Sequence, residues 1–122
     1  MKSNYKFGIW MDSIHATIVE ADPDNGQLKV LTHVTAEEKL PTENEKAENN
    51  QKIMLQAKYF KEIAAQLHNA THVHLTGTGQ AQEQFMHYLA QTPRFKNTKT
   101  EESTSNRMSD EKLLDYLIDK LK

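Results

Sequence analysis

A single α/β domain, in which three strands are followed by alternating helices and strands, is the fold class this sequence predicts. Three observations carry that prediction. The length of 122 residues is that of one domain, enough to bury roughly two thirds of the unfolded chain's surface around one core. The apolar residues, 37% of the chain, fall in short dense runs, as a folded core with polar connections requires. The period of those runs changes along the chain, from strand-like in the first third to 3.6-residue spacing afterwards.

The elements follow in order. Phe7-Gly8-Ile9-Trp10-Met11 is an apolar run that stops at Asp12-Ser13, and Ala16-Thr17-Ile18-Val19-Glu20 resumes with β-branched residues, so two tightly joined antiparallel strands are expected. Asp22-Pro23-Asp24-Asn25-Gly26 is a turn, because proline fixes φ and Asn-Gly tolerates positive φ. A third strand, Gln27 to Thr35, then places Leu28, Val30, Thr32 and Val34 on one face and Lys29, Leu31 and His33 on the other. Residues 37–50 carry Pro41, many charges and little that is apolar beyond Leu40, the composition of an exposed, flexible connection within one domain spanning 1–122.

From about Gln51, the recurrence of Ile53, Ala57, Phe60, Ala64 and Leu67 predicts an amphipathic helix that ends near His68-Asn69. Thr71 to Thr76 is a short strand, Gly77-Thr78-Gly79 a tight turn, and Gln80 opens a second helix with Ala81, Phe85, Tyr88 and Leu89 on one face, stopped by Pro93. Lys96 to Ser103 is a polar, Thr-rich strand suited to a sheet edge. Ser109-Asp110-Glu111 opens a third helix with an N-cap and an acidic first turn; it buries Leu113 or Leu114, Leu117, Ile118 and Leu121. The resulting order, β-β-β-α-β-α-β-α, is shared with ribonuclease-H-like folds built on a mixed sheet.

Composition narrows the function. Cysteine is absent, which excludes disulfides, thiolate nucleophiles and Cys-type zinc sites and suits a reducing compartment. No apolar signal core follows Met1, and no run approaches the roughly 18 apolar residues of a membrane span. The cytoplasm is therefore the expected location, with no membrane partner. A net charge of -2 argues against an indiscriminate polyanion binder while leaving room for a local basic patch.

Thr76-Gly77-Thr78-Gly79-Gln80 is the sharpest local feature, a strand-to-helix turn whose glycines let a ligand approach the backbone and whose helix start offers unpaired N–H groups to an anion. Any βα turn needs glycine, however, and this one lacks the lysine of a P-loop and the third glycine of a dinucleotide fingerprint. Arg94, Lys96 and Lys99 cluster around Phe95 and continue towards Arg107; they read either as RNA-backbone contacts with one aromatic platform or as charges that protect an edge strand.

Asp12, at the end of the first strand, sits where many ribonuclease-H-like nucleases hold a metal carboxylate. Glu20, Glu101, Asp110 and Asp115 are the acids that folding would have to bring near it for two-metal hydrolysis. His72 and His74 share a strand face at a spacing known from metal sites, with His68 and His87 as further histidines on helices; polar members of a sheet surface are the plainer reading. Nothing resembles a nucleophile elbow.

On Gly8-Ile9-Trp10-Met11-Asp12 running into Ala16-Thr17-Ile18-Val19-Glu20, and on His72-Val73-His74-Leu75-Thr76-Gly77-Thr78-Gly79-Gln80-Ala81 leading into a helix with Phe85 and Leu89, the chain resembles small bacterial proteins related to the middle domain of archaeal and eukaryotic class-1 release factors and of Pelota. The resemblance implies a link to the ribosome. Release factors hydrolyse peptidyl-tRNA with a Gly-Gly-Gln loop between the third strand and the first helix. Here that connection, 37–50, has no glycine, and Gly77-Thr78-Gly79-Gln80 follows the fourth strand instead.

The leading expectation is thus a translation-associated, non-enzymatic domain that binds RNA or the ribosome through Gly77, Thr78, Gly79, Gln80, Arg94, Lys96 and Lys99, without a cofactor. The alternatives are a metal-dependent nuclease or hydrolase centred on Asp12, and an adaptor or homo-oligomer that pairs through its last strand.

Overall fold

The computed structural model describes residues 5–37 and 45–121. Its elements are β1 (Lys6–Met11), β2 (His15–Ala21), β3 (Leu28–Thr35), α1 (Glu45–Ala65), β4 (His72–Gly77), α2 (Gln80–Ala90), a 3-10 turn (Pro93–Phe95), β5 (Lys99–Thr104) and α3 (Asp110–Lys120). They form one five-stranded mixed sheet in the order β3-β2-β1-β4-β5. β2 is antiparallel to β1 and β3, while β4 runs parallel to β1 and β5. The fold class expected from the sequence, an α/β domain on a ribonuclease-H-like mixed sheet, is the one observed.

The two central strands explain the run of apolar residues in β1: a strand covered on both faces has no solvent side on which to place polar residues. Phe7, Ile9 and Met11 join Val73 and Leu75 of β4 beneath α1 and α2, with Tyr59, Phe60, Ile63, Phe85 and Leu89 completing that core. Trp10 and Val19 project to the opposite face, where Leu113 and Leu117 of α3 and Leu121 at its C-cap cover them. The sheet is therefore sandwiched between two helical layers.

Three expectations about faces are corrected. The register between β2 and β3 shifts between Ile18 and Val19, which pair with Thr32 and Val30, so one residue of β3 is extra. Such a bulge inverts the alternation that follows it. Leu28 and Val30 accordingly pack with α3, whereas Leu31 and Val34 join the α1/α2 core.

Helix α1 begins at Glu45, inside the segment expected to be a connection; residues 38–44 of that segment lie outside the described residues. Its expected stripe holds in the second half, where Phe60, Ala64 and Leu67 are buried, and fails in the first. Ile53 is 67% exposed, Ala57 is exposed as well, and Tyr59 and Ile63 are buried together with Phe60 and Ala64. In α3, Ile118 is exposed and Leu113, Leu117 and Leu121 are buried, a clean i, i+4, i+8 stripe.

β5 lies at the sheet edge, as its composition suggested. Lys99, Glu101 and Glu102 are exposed along it, an arrangement that discourages pairing with another chain. Among the described residues no helix is long and apolar enough to cross a membrane.

Candidate functional site

The Gly77–Gln80 turn is shaped by close backbone packing. Gly77 pairs with Met11 across β4 and β1, and a Cβ there would lie 2.0 Å from the Met11 carbonyl oxygen, so only glycine fits. Gly79 has φ of 122°, a conformation L side chains rarely adopt, and the space around its Cα is open. Its N–H is already engaged: Gln82 Oε1 accepts it at 3.1 Å, while Gln82 Nε2 donates to the Ser103 carbonyl of β5. The buried glutamine thus ties the start of α2 to the edge strand. The turn keeps its open approach, but no cationic side chain stands in its sequence or in the first turn of α2, which carries Glu83.

The basic stretch divides into two parts. Arg94 Nη2 donates to the Ala64 carbonyl in the last turn of α1, and its guanidinium lies 4.5 Å from the Phe95 ring centroid. That carbonyl also accepts the Leu67 amide at 3.1 Å, so the cation adds a second partner and complements the helix dipole. Phe95 is only 6% exposed and belongs to the core, so it offers no platform for a base. Lys96 and Lys99 remain exposed, the latter 3.8 Å from Glu101 Oε1.

Nor do the turn and the basic stretch meet. Lys99 is level with His72 at the start of β4, and Thr104 with Gly77 at its end. At about 3.3 Å per residue this puts the two rows roughly 16 Å apart. Arg107 is separate again, lining a cavity of about 440 Å³ with Trp10, His15, His33 and Asp110.

Asp12 serves the β1–β2 turn. Its Oδ1 accepts the amides of Ile14 at 2.8 Å and His15 at 2.6 Å, and its carbonyl accepts the Tyr59 hydroxyl at 3.0 Å. Burial, with the Asp12 charge beside it, pushes the Tyr59 phenol well above its ordinary range, so it stays a neutral donor. The acids named alongside Asp12 are engaged or exposed elsewhere: Asp110 lies 2.8 Å from His33 Nε2, Glu101 is beside Lys99, and Asp115 is exposed on α3. Among the described residues no group of three or more His, Asp or Glu side chains is placed to hold a metal ion.

His72 and His74 do share a face, the one towards α3. His68 and His87 are exposed on the side of α1 and α2 and cannot join them. His74, 4% exposed, places Nε2 2.8 Å from Ser103 Oγ, which in turn lies 2.7 Å from the Tyr116 hydroxyl. Alongside, Thr76 Oγ1 and Ser105 Oγ are 2.6 Å apart, and Trp10 Nε1 donates to the Ser105 carbonyl at 3.4 Å. Burial, then the Lys120 ammonium, holds the His74 imidazole below its ordinary pKa, with Glu101 pulling the other way. Burial would raise the Tyr116 phenol, but hydrogen bonding to Ser103 and Thr76 and the Lys120 charge outweigh it.

This polar seam was not foreseen from sequence. Its only local sign is the serines of a strand that buries nothing apolar, which must be held by hydrogen bonds if it is held at all.

No protein-family model and no curated protein matches the chain. Solved structures share the fold. The Pelota protein of Thermoplasma acidophilum superposes with a TM-score of 0.61 at 20% identity over 94% of this chain. Pelota of Archaeoglobus fulgidus gives 0.62 at 13% over 98%, and the archaeal translation termination factor aRF1 gives 0.60 at 16% over 96%. The chain spans about a third of each, 32%, 33% and 35% of their lengths.

Proposed function

We propose that this chain is a translation-associated, non-enzymatic domain that contacts RNA or a ribosomal surface. The observation that carries the reading is the shared fold: nearly the whole chain superposes on one third of a translation termination factor and of two Pelota proteins.

Two features support the non-enzymatic half of the reading. The β3–α1 connection holds no glycine between residues 37 and 50, and the Asp12 carboxylate is spent on capping a turn. In this reading Gly77–Gln80 and the Lys96–Lys99 stretch are two separate contact surfaces at opposite ends of β4 and β5, with Arg94 held against α1 as a support for the second.

The test is sedimentation of the tagged chain through a sucrose gradient of cell lysate at low and raised salt. Migration with ribosomal particles at low salt, lost as salt rises, is expected of contacts made through charge. A position in the light fractions at both salts overturns the proposal.

A further inference from the structure

Folding assembles a cationic group that no stretch of sequence displays. Lys6, His72 and Lys99 stand level with one another on three adjacent parallel strands, since Lys6 pairs with His72 and His72 with Lys99. Strand neighbours are about 4.8 Å apart, so the three side chains form a row. Lys120, in the last turn of α3, closes over it. Together they line a cavity of about 80 Å³ floored by His74 and bordered by Glu101.

Structural explanations account for part of this cluster. A lysine at Lys99 guards an edge strand, and Lys120 complements the C-terminus of its helix. Neither reason reaches Lys6, which opens the central strand β1.

The charges do not balance either. Among the described residues that line the cavity, three ammonium groups face one carboxylate, Glu101, and a helix terminus worth about half a negative charge, an excess of more than one positive charge within that lining. Glu101 is only loosely engaged, 3.8 Å from Lys99 and 4.0 Å from His74 Nδ1, an atom with no hydrogen-bond partner. An exposed pair at that distance neutralises little.

From this we infer that the cavity between Lys6, His72, Lys99 and Lys120 binds a phosphate group, supplied by the backbone of a single-stranded RNA. The inference rests on the functional reading above and identifies the surface that faces RNA. Lysines act as flexible point charges towards phosphate oxygens, so the site reads backbone and not sequence.

The experiment uses the full chain and two probes. One is a labelled RNA oligonucleotide of about 12 nucleotides followed by fluorescence anisotropy, a length suited to a groove on one small domain. The other is inorganic phosphate, followed by amide shifts in a nitrogen-15 spectrum. Combining Lys99→Glu with Lys120→Glu is expected to weaken RNA binding about tenfold or more at low salt and to flatten the logarithmic salt slope by about 0.7, the loss of one phosphate contact to single-stranded nucleic acid. Glu101→Gln, which removes the competing carboxylate, is expected to tighten binding and does not depend on a charge-reversed variant folding. Lys112→Glu, at the other end of α3, should change affinity less than twofold, roughly the scale of a distant screened charge.

RNA affinity that survives the double reversal, or falls equally with Lys112→Glu, overturns the site. Phosphate-induced shifts at Lys6, His72 and Lys99 without RNA affinity overturn the RNA assignment and support a free anion as the source. Ribosome co-migration kept by the double variant overturns the cavity while the translation reading stands. Lysine-dependent RNA binding in a chain that never migrates with ribosomes does the reverse.

Discussion

Gly8 determines how closely α3 can sit on the sheet, and replacing it with alanine tests the packing of that whole layer. A Cβ at Gly8 would lie 2.4 Å from Leu117 Cδ1, 2.8 Å from Cδ2 and 3.1 Å from Cγ. Leu117 is fully buried among Trp10, Val19, Leu113 and Leu121, so its side chain has to shift against those neighbours. Overpacking of this kind costs about 1–3 kcal/mol, while removing a glycine from a strand returns roughly 0.5–1 kcal/mol of chain entropy. A net loss of about 1–2 kcal/mol is expected for Gly8→Ala.

Trp10, the only tryptophan of the chain, is 3% exposed in the same cluster, so its fluorescence during urea unfolding reports the change directly. Leu117→Ala alone should cost about 2–5 kcal/mol by leaving a cavity. The double variant should then be more stable than the sum of the two losses by about 1 kcal/mol, because the added methyl fills part of that cavity. Losses that add to within about 0.5 kcal/mol would show that Gly8 and Leu117 are not in contact and would refute this account of the α3 layer.

Two further outcomes follow from the buried polar side chains that hold β5, Gln82 and His74. Gln82→Leu should lower stability by about 1–3 kcal/mol, since it strips partners from the Gly79 amide and the Ser103 carbonyl at once, and hydrogen exchange should rise first at β5 and the start of α2. A variant as stable as the parent would show that water replaces both bonds. For His74, burial and Lys120 depress the folded pKa below its unfolded value of 6.5. The unfolded chain then binds more protons in that interval, so stability is complete above about pH 6.5 and falls as the pH drops towards the folded value. Replacing His74 with Gln should flatten the stability profile between about pH 5 and 6.5, above the carboxylate range. Identical slopes in urea titrations of the two proteins would contradict it.

The sequence alone determined the order and type of the strands and helices, though not the start of α1 at Glu45, because most are encoded by a local period and bounded by their own stop signals. The alternation and β-branching of Ala16–Glu20, the Asn25-Gly26 turn, the Ser109 cap that accepts Lys112 N–H, and the spacing of Leu113, Leu117 and Leu121 are all readable within a few residues. Local signals also placed the glycine turn after β4 and made the polar last strand an edge.

Relations between segments far apart in the chain were decided only by the tertiary structure. The bulge in β3 moves Val34 to the opposite face, Arg94 is captured by the end of α1, and the β4–β5 register sets the glycine turn and Lys99 at opposite ends of the sheet. Lys6, His72, Lys99 and Lys120 become neighbours for the same reason. Strand pairing sums backbone hydrogen bonds and apolar burial over the whole sheet, so the register of one strand depends on all its partners and leaves no trace in the spacing of its own residues.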